Sequence, residues 1–196
     1  MSATTTKPPA VRRYTPDDLL RMADGGKGYE LVDGELKELN VSYQSSFLAG
    51  RVFLHMANFT DANNLGWVTP EGTSYRCFPD DPTRVRRADT AFHRLDRLTR
   101  EQATSEGHCT VVPDLVVEVV SPNDLADFVN DKRLEWLEAG AALVWVIYPP
   151  AREVHAFWAD GSNRVYRLHD ELDAEPVIPG FRVPVADLFR MPTLAK

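Results

Sequence analysis

The chain has 196 residues, 43% hydrophobic and 26% charged, which excludes a disordered or collagen-like polypeptide and predicts one globular domain with its own core. Its 22 Lys and Arg stand against 29 Asp and Glu, a net charge of −7 that excludes non-specific coating of nucleic acid while leaving room for a local basic cleft. Cys77 and Cys109 alone give no disulfide framework and fit a reducing cytoplasm, and the longest apolar run, Ala141 to Tyr148, is far short of the ~20 residues of a membrane span.

Residues 1–13 read as a flexible leader with no apolar stretch after their basic residues, so no secretory signal is expected, and the domain is placed over 14–192. Thr15-Pro16-Asp17-Asp18 is a helix start, with an N-cap hydroxyl, Pro at the first helical position and acids in the first turn. Tyr29 to Leu39 predicts a hairpin turning at Asp33-Gly34. Phe47, Leu48, Val52, Phe53, Met56, Ala57 and Phe59 recur at helical spacing, so a helix is predicted over 45–59. Trp67 to Pro70, Thr73 to Cys77 and Arg84 to Phe92 read as strands, and 93–108 as a loop with a helical turn. Asp114 to Ser121 is a buried strand rich in Val, Asp124 to Ala139 a helix ended by Gly140, and Ala141 to Tyr148 a second buried strand. Strand, crossover helix and strand make a βαβ unit with parallel pairing. A hairpin over 153–169, then a short strand and a helical turn within 176–189, complete the chain.

Three residues stand out chemically. Glu118 interrupts the apolar run Leu115 to Val120, where an unpaired carboxylate is costly; it is paired, protonated, bound to a metal, or set on a wet strand face. Asp89 lies inside Ala88-Asp89-Thr90-Ala91-Phe92 and is either a turn residue or a functional acid. Lys132 sits on the helix that follows the Glu118 strand, where a solvated lysine is the ordinary reading. Two acids on neighbouring strands with a cation nearby suit a divalent metal and phosphodiester hydrolysis. Asp114, four residues before Glu118, is a third acid or simply the strand start. Arginines 84, 86, 87, 94, 97 and 100 flank Asp89 and either meet phosphates or balance local acids. The five His and two Cys lack zinc-site spacing, Gly25-Gly26-Lys27-Gly28 is not a phosphate loop, and no G-x-S-x-G nucleophile is present.

The segments YELVDGEL (29–36), VRRADTAF (85–92), PDLVVEVVSP (113–122), Lys132 with Trp136 and Gly140, ALVWVIYPP (142–150) and PGFRVPVADLF (179–189) resemble, in order, the landmarks of the Uma2 family of restriction-endonuclease-like proteins in the PD-(D/E)XK superfamily. The resemblance implies an α/β fold: a restriction-endonuclease-like core with a mixed central β-sheet flanked by helices, and additional hairpins near both termini. It implies that Asp89 and Glu118 hold a metal, Mg²⁺ with Mn²⁺ as substitute, with the carbonyl of Val119 as a third ligand. Lys132 takes the place of the superfamily lysine, since Val120 stands two residues beyond Glu118, and Glu30 contacts the metal or its water or else partners a nearby Arg. Ala88 replaces the usual Pro before Asp89, and Tyr43-Gln44-Ser45-Ser46 stands where the family often has a His.

The expectation is a cytoplasmic, metal-dependent endonuclease acting on DNA, without a membrane span, and most simply a homodimer for cutting both strands. Two rivals remain: a nuclease fold that binds or regulates without cleaving, and an interaction protein in which Glu118 and Lys132 form a buried salt bridge.

Overall fold

The structure is a computed structural model and describes residues 12–192, so the expected leader lies outside the described residues apart from Arg12 and Arg13. Thr15 starts α1 (Pro16–Arg21): its hydroxyl accepts from the Asp18 amide at 3.1 Å, and the Asp18 carboxylate accepts from the Thr15 amide at 2.9 Å. The hairpin forms as predicted from β1 (Tyr29–Val32) and β2 (Glu35–Glu38), turning through Asp33 and Gly34, both at positive φ. The next helix, α2 (Tyr43–Asn63), is longer than predicted at both ends. Apolar spacing reveals only its buried stripe. Its polar first turn is fixed by a capping box between Ser42 and Ser45, and its end by the left-handed Asn64.

After β3 (Gly66–Pro70) comes the pair β4 (Ser74–Tyr75) and β5 (Arg86–Arg87). The single extended run predicted over 84–92 is in fact two strands, because the chain changes partner at Ala88-Asp89: β5 joins β4, whereas β6 (Thr90–Arg94) joins the central sheet. A short helix α3 (Arg100–Ala103) leads to β7 (Leu115–Val119), α4 (Ala126–Ala139) and β8 (Leu143–Tyr148). Gly140, at φ 108°, ends α4 in the conformation that favours glycine. The chain finishes with β9 (Glu153–Trp158), β10 (Asn163–Tyr166), an unpredicted β11 (Glu171–Asp173) paired with β12 (Arg182–Pro184), and α5 (Val185–Leu188).

The six-stranded sheet has the order β10-β9-β8-β7-β6-β3 and is antiparallel except for the β7–β8 pair, the predicted βαβ unit. Strand alternation divides the core in two. Leu115, Val117 and Val119 join Leu48, Val52 and Met56 of α2 on one face, while Val116 and Val144 join Trp136 of α4 on the other. Among the described residues no helix is long and apolar enough to cross a membrane.

The edge pair β3–β6 leaves no space for a side chain at Gly66, where a Cβ would run into the carbonyl of His93 and the ring of Phe92. Gly66→Ala is therefore expected to destabilise the protein by about 1–3 kcal/mol, read from denaturant melts. A neutral result would mean that the edge strand shifts freely.

Candidate active site

The site grows out of two consequences of the topology. Alternation along β7 turns Glu118 to the α4 side with Val116, and the partner change at Ala88-Asp89 brings Asp89 beside it. Asp89 is clipped to β7 on both sides of Glu118: its amide donates to the Val117 carbonyl at 3.1 Å, and its Oδ2 accepts from the Val119 amide at 2.6 Å. Asp89 thus stands at the bend between β5 and β6, with its carboxylate held beside Glu118. Its Oδ1 has no protein donor among the described residues.

Glu118 is 8% exposed and both of its oxygens are engaged. Oε1 accepts from the indole Nε1 of Trp136 at 2.8 Å, and Oε2 from Lys132 Nζ at 2.8 Å. Lys132 and Trp136 lie one turn apart on α4, so a single helix face supplies both donors. The lysine is no solvated surface residue: it is 7% exposed, and its Nζ also donates to the Arg87 carbonyl at 2.7 Å and lies 2.9 Å from Glu30 Oε1. The bonds to Glu118 and Arg87 use two of its three ammonium protons, and Glu30 stands beside it as an ion-pair partner.

Glu30, from β1, is fully buried. Its Oε1 also accepts from the Arg87 amide at 2.8 Å and its Oε2 from Arg86 Nη1 at 2.9 Å, while Arg86 forks onto Glu135 at 2.6 and 2.8 Å. A chain of charge therefore runs Glu135, Arg86, Glu30, Lys132, Glu118, ending beside Asp89. The Glu118–Lys132 ion pair of the structural reading is present, within a cluster that also contains the acids of the nuclease reading.

The cluster holds more acids than cations next to the cleft, and burial together with their mutual repulsion shifts its proton affinities. Burial pushes the Glu118 carboxyl up to about 8, with Lys132 opposing and Asp89 and Glu30 adding repulsion. Burial likewise pushes Asp89 up to about 6, against the attraction of Lys132 and the Val119 hydrogen bond. Burial also works against Glu30, but Lys132, Arg86 and the Arg87 amide outweigh it and hold its carboxyl below the usual range. Burial disfavours the Lys132 charge too, yet Glu118, Glu30 and Asp89 prevail and keep the ammonium firmly protonated.

Asp89, Glu118 and Lys132 line a cleft of about 350 Å³ that Val119 also borders. A further acid lines it that sequence reasoning missed. The β3–β6 register pairs Pro70 with Thr90, so Glu71, one residue on, falls across from Asp89 and adds to the charge that raises its pKa. Only the strand register could have revealed it, since Glu71-Gly72 looks locally like an ordinary turn.

Other expectations fall away from the cleft. Asp114 sits at the opposite end of β7, where it accepts from the Arg94 amide at 2.9 Å and pairs with Arg97 at 3.4 Å, so it is the strand start and not a third site acid. Of the arginines near Asp89, Arg84, Arg86 and Arg87 are engaged by protein partners, Arg87 at the border of the cleft, while Arg94 is half exposed. Arg84 pairs with Asp80, Arg86 with Glu30 and Glu135, and Arg87 donates to the carbonyls of Tyr29, Gly25, Gly26 and Gly72.

Among the described residues no group of three or more His, Cys, Asp or Glu side chains is gathered as a metal site. The donor set nevertheless fits Mg²⁺, which is commonly held by one or two carboxylates with water and substrate phosphate completing its shell. The free Oδ1 of Asp89 and the mutual repulsion of Asp89 and Glu118 are the features such an ion would satisfy.

A solved structure with this fold belongs to a protein from Anabaena variabilis ATCC 29413 described as "a putative nuclease belonging to DUF820". It is 16% identical, the match covers 89% of this chain and 97% of that one, and the TM-score is 0.74. No curated protein matches the chain. The family described as "Putative restriction endonuclease" matches residues 16–186, from the first residue of α1 into α5, and by that match the chain belongs to the Uma2 family.

Proposed function

We propose that the protein is a Mg²⁺-dependent endonuclease, accepting Mn²⁺, that hydrolyses phosphodiester bonds in DNA in the cytoplasm. The observation that carries this reading is the clipping of Asp89 around Glu118, which aims two acids with raised pKa values into one cleft. Asp89 and Glu118 would hold the ion, with the Val119 carbonyl beside them as a third oxygen. When bound, it would act as a Lewis acid on the phosphate and make its water more acidic. Lys132 holds Glu118 in place, keeps positive charge at the cleft wall, and orients water or offsets the charge that develops on the phosphate. Glu30 acts through Lys132: it is fully buried and is not among the residues that line the cleft, so it is a positioning residue. A homodimer would place two such sites on one duplex.

The rival structural reading draws support from the contacts of Lys132 with the Arg87 carbonyl, Glu118 and Glu30 inside the protein. Calorimetric titration of Mn²⁺ into wild type and Asp89→Ala, alongside metal-dependent DNA cleavage, separates the two. The nuclease reading expects stoichiometric binding by wild type, at least tenfold weaker binding by the variant, and cleavage that stops in EDTA. If neither protein binds Mn²⁺, with or without DNA, the fold serves as a scaffold.

A further inference from the structure

The mouth of the cleft is apolar in a way that metal binding does not require. One lip is the segment after β2, with Leu39, Asn40 and Val41; the other is the approach to α4, with Asn123, Leu125 and Phe128. Leu39, Asn40 and Val41 of the first and Asn123 of the second also border a smaller recess, so the two segments meet there, while Val41, Leu125 and Phe128 share the lining of the main cleft. Val41 is 51% and Leu125 74% exposed, two large aliphatic side chains held in water at the entrance. Leu125 is the N-cap of α4 and makes no side-chain cap hydrogen bond, at a position where Ser, Asp or Asn would stabilise the helix. Neither burial nor capping accounts for it.

The charges tell against a long groove for a duplex backbone. Duplex binding draws on several Lys or Arg contacts to phosphates, but the arginines beside the site are spent on internal partners, and Lys37 at the cleft pairs with Glu35 at 2.7 Å. Five of the cleft-lining side chains are acidic: Glu38, Glu71, Asp89, Glu118 and Asp124. A cavity of about 350 Å³ lies at the small end of ligand pockets and suits one ring system.

We propose that the cleft takes a single unpaired nucleotide of DNA, its base lodged between the Val41 and Leu125 lips and its phosphate at Asp89 and Glu118. The inference rests on the nuclease reading for the phosphate end. Apolar side chains receive the faces of an unstacked base, and the amides of Asn40 and Asn123, each offering donor and acceptor, stand at the mouth for its edge. A base held in a duplex presents no free face to these lips.

The test uses one DNA sequence in three forms: single-stranded, fully paired, and paired with an unpaired flap. With Mn²⁺, wild type is expected to cut the single strand and the flap at least tenfold faster than the duplex. The cleavage-deficient Asp89→Asn variant is expected to bind fluorescent forms of the same DNA in that order, by anisotropy. Val41→Ser and Leu125→Ser, at exposed positions and checked for folding by thermal melts, should each weaken single-strand binding and cutting about tenfold while leaving Mn²⁺ affinity unchanged. Equal cutting and binding of duplex and single strand, or unaltered variants, overturns the inference and leaves the nuclease reading standing. If wild type binds Mn²⁺ but cuts nothing, the nuclease reading fails, and anisotropy alone decides whether unpaired DNA is the ligand. If Leu125→Ser turns a dimer into monomers without weakening DNA binding, the lips are a subunit interface and the inference falls.

Discussion

Asp89→Asn is expected to abolish metal-dependent cleavage, by about 10³-fold or more, and at the same time to make the metal-free protein more stable. The asparagine keeps the bond that matters for the backbone, since its carbonyl oxygen can accept from the Val119 amide as Oδ2 does at 2.6 Å. What it removes is an ionised group whose pKa is raised from 3.8 to about 6, chiefly by burial. A raised carboxyl pKa penalises the folded state only where the group must ionise. No penalty exists below about pH 4; it grows between 4 and 6, and above 6 amounts to about 2–3 kcal/mol. In EDTA the variant should therefore melt higher than wild type at pH 8, and the difference should vanish near pH 4. Mn²⁺ should reverse the order at pH 8, because it stabilises only the protein that binds it. Equal stability at pH 8 and pH 4 would show that Asp89 carries no penalty, and the argument for a metal-relieved acid would fail.

Lys132→Met should act in the opposite direction, with a loss of about 3–5 kcal/mol. Methionine matches the lysine stem in volume but leaves the carboxylates of Glu30 and Glu118 buried with no cation between them and the Arg87 carbonyl without its donor. For a chain of this length the loss corresponds to roughly 6–20 °C in melting temperature. Adding Glu118→Gln to Lys132→Met should recover part of the loss, because one stranded charge is gone, and the double-mutant cycle measures the coupling. A Lys132→Met protein within 1 kcal/mol of wild type would mean that the buried charges are compensated elsewhere.

The sequence made the central βαβ unit legible because two strands, apolar throughout but for Glu118, bracket a helix that a glycine ends. It made the caps and hairpin turns legible because Thr15 and Asp33-Gly34 act within a few residues of themselves. The break at Ala88-Asp89 was hidden, since it follows from a change of strand partner far along the chain. Asp89 and Glu118 could be singled out as acids at odds with their surroundings, one in an apolar strand above all; Lys132 gained meaning only beside them, and the family resemblance added Glu30. Their hydrogen bonds could not be foreseen. Arg86 reads as a surface cation until Glu30 and Glu135 are placed around it, 56 and 49 residues away. Glu71 was overlooked for the same reason: its relation to Asp89 exists only across the β3–β6 register.

The buried charge chain also has a consequence for the order in which the protein matures. Glu30, Arg86 and Glu118 leave the ribosome before Lys132 and Trp136, the two donors that make burial of Glu118 tolerable. A nascent chain that ends short of α4 can form its first hairpin and α2, but β7 then lacks its partner β8 and both donors to Glu118, whose ionised carboxylate is costly to bury unmatched. The central strand and the two acids aimed into the cleft are therefore completed in one late step, and a truncated chain lacks the geometry for hydrolysis while its sheet is still unfinished.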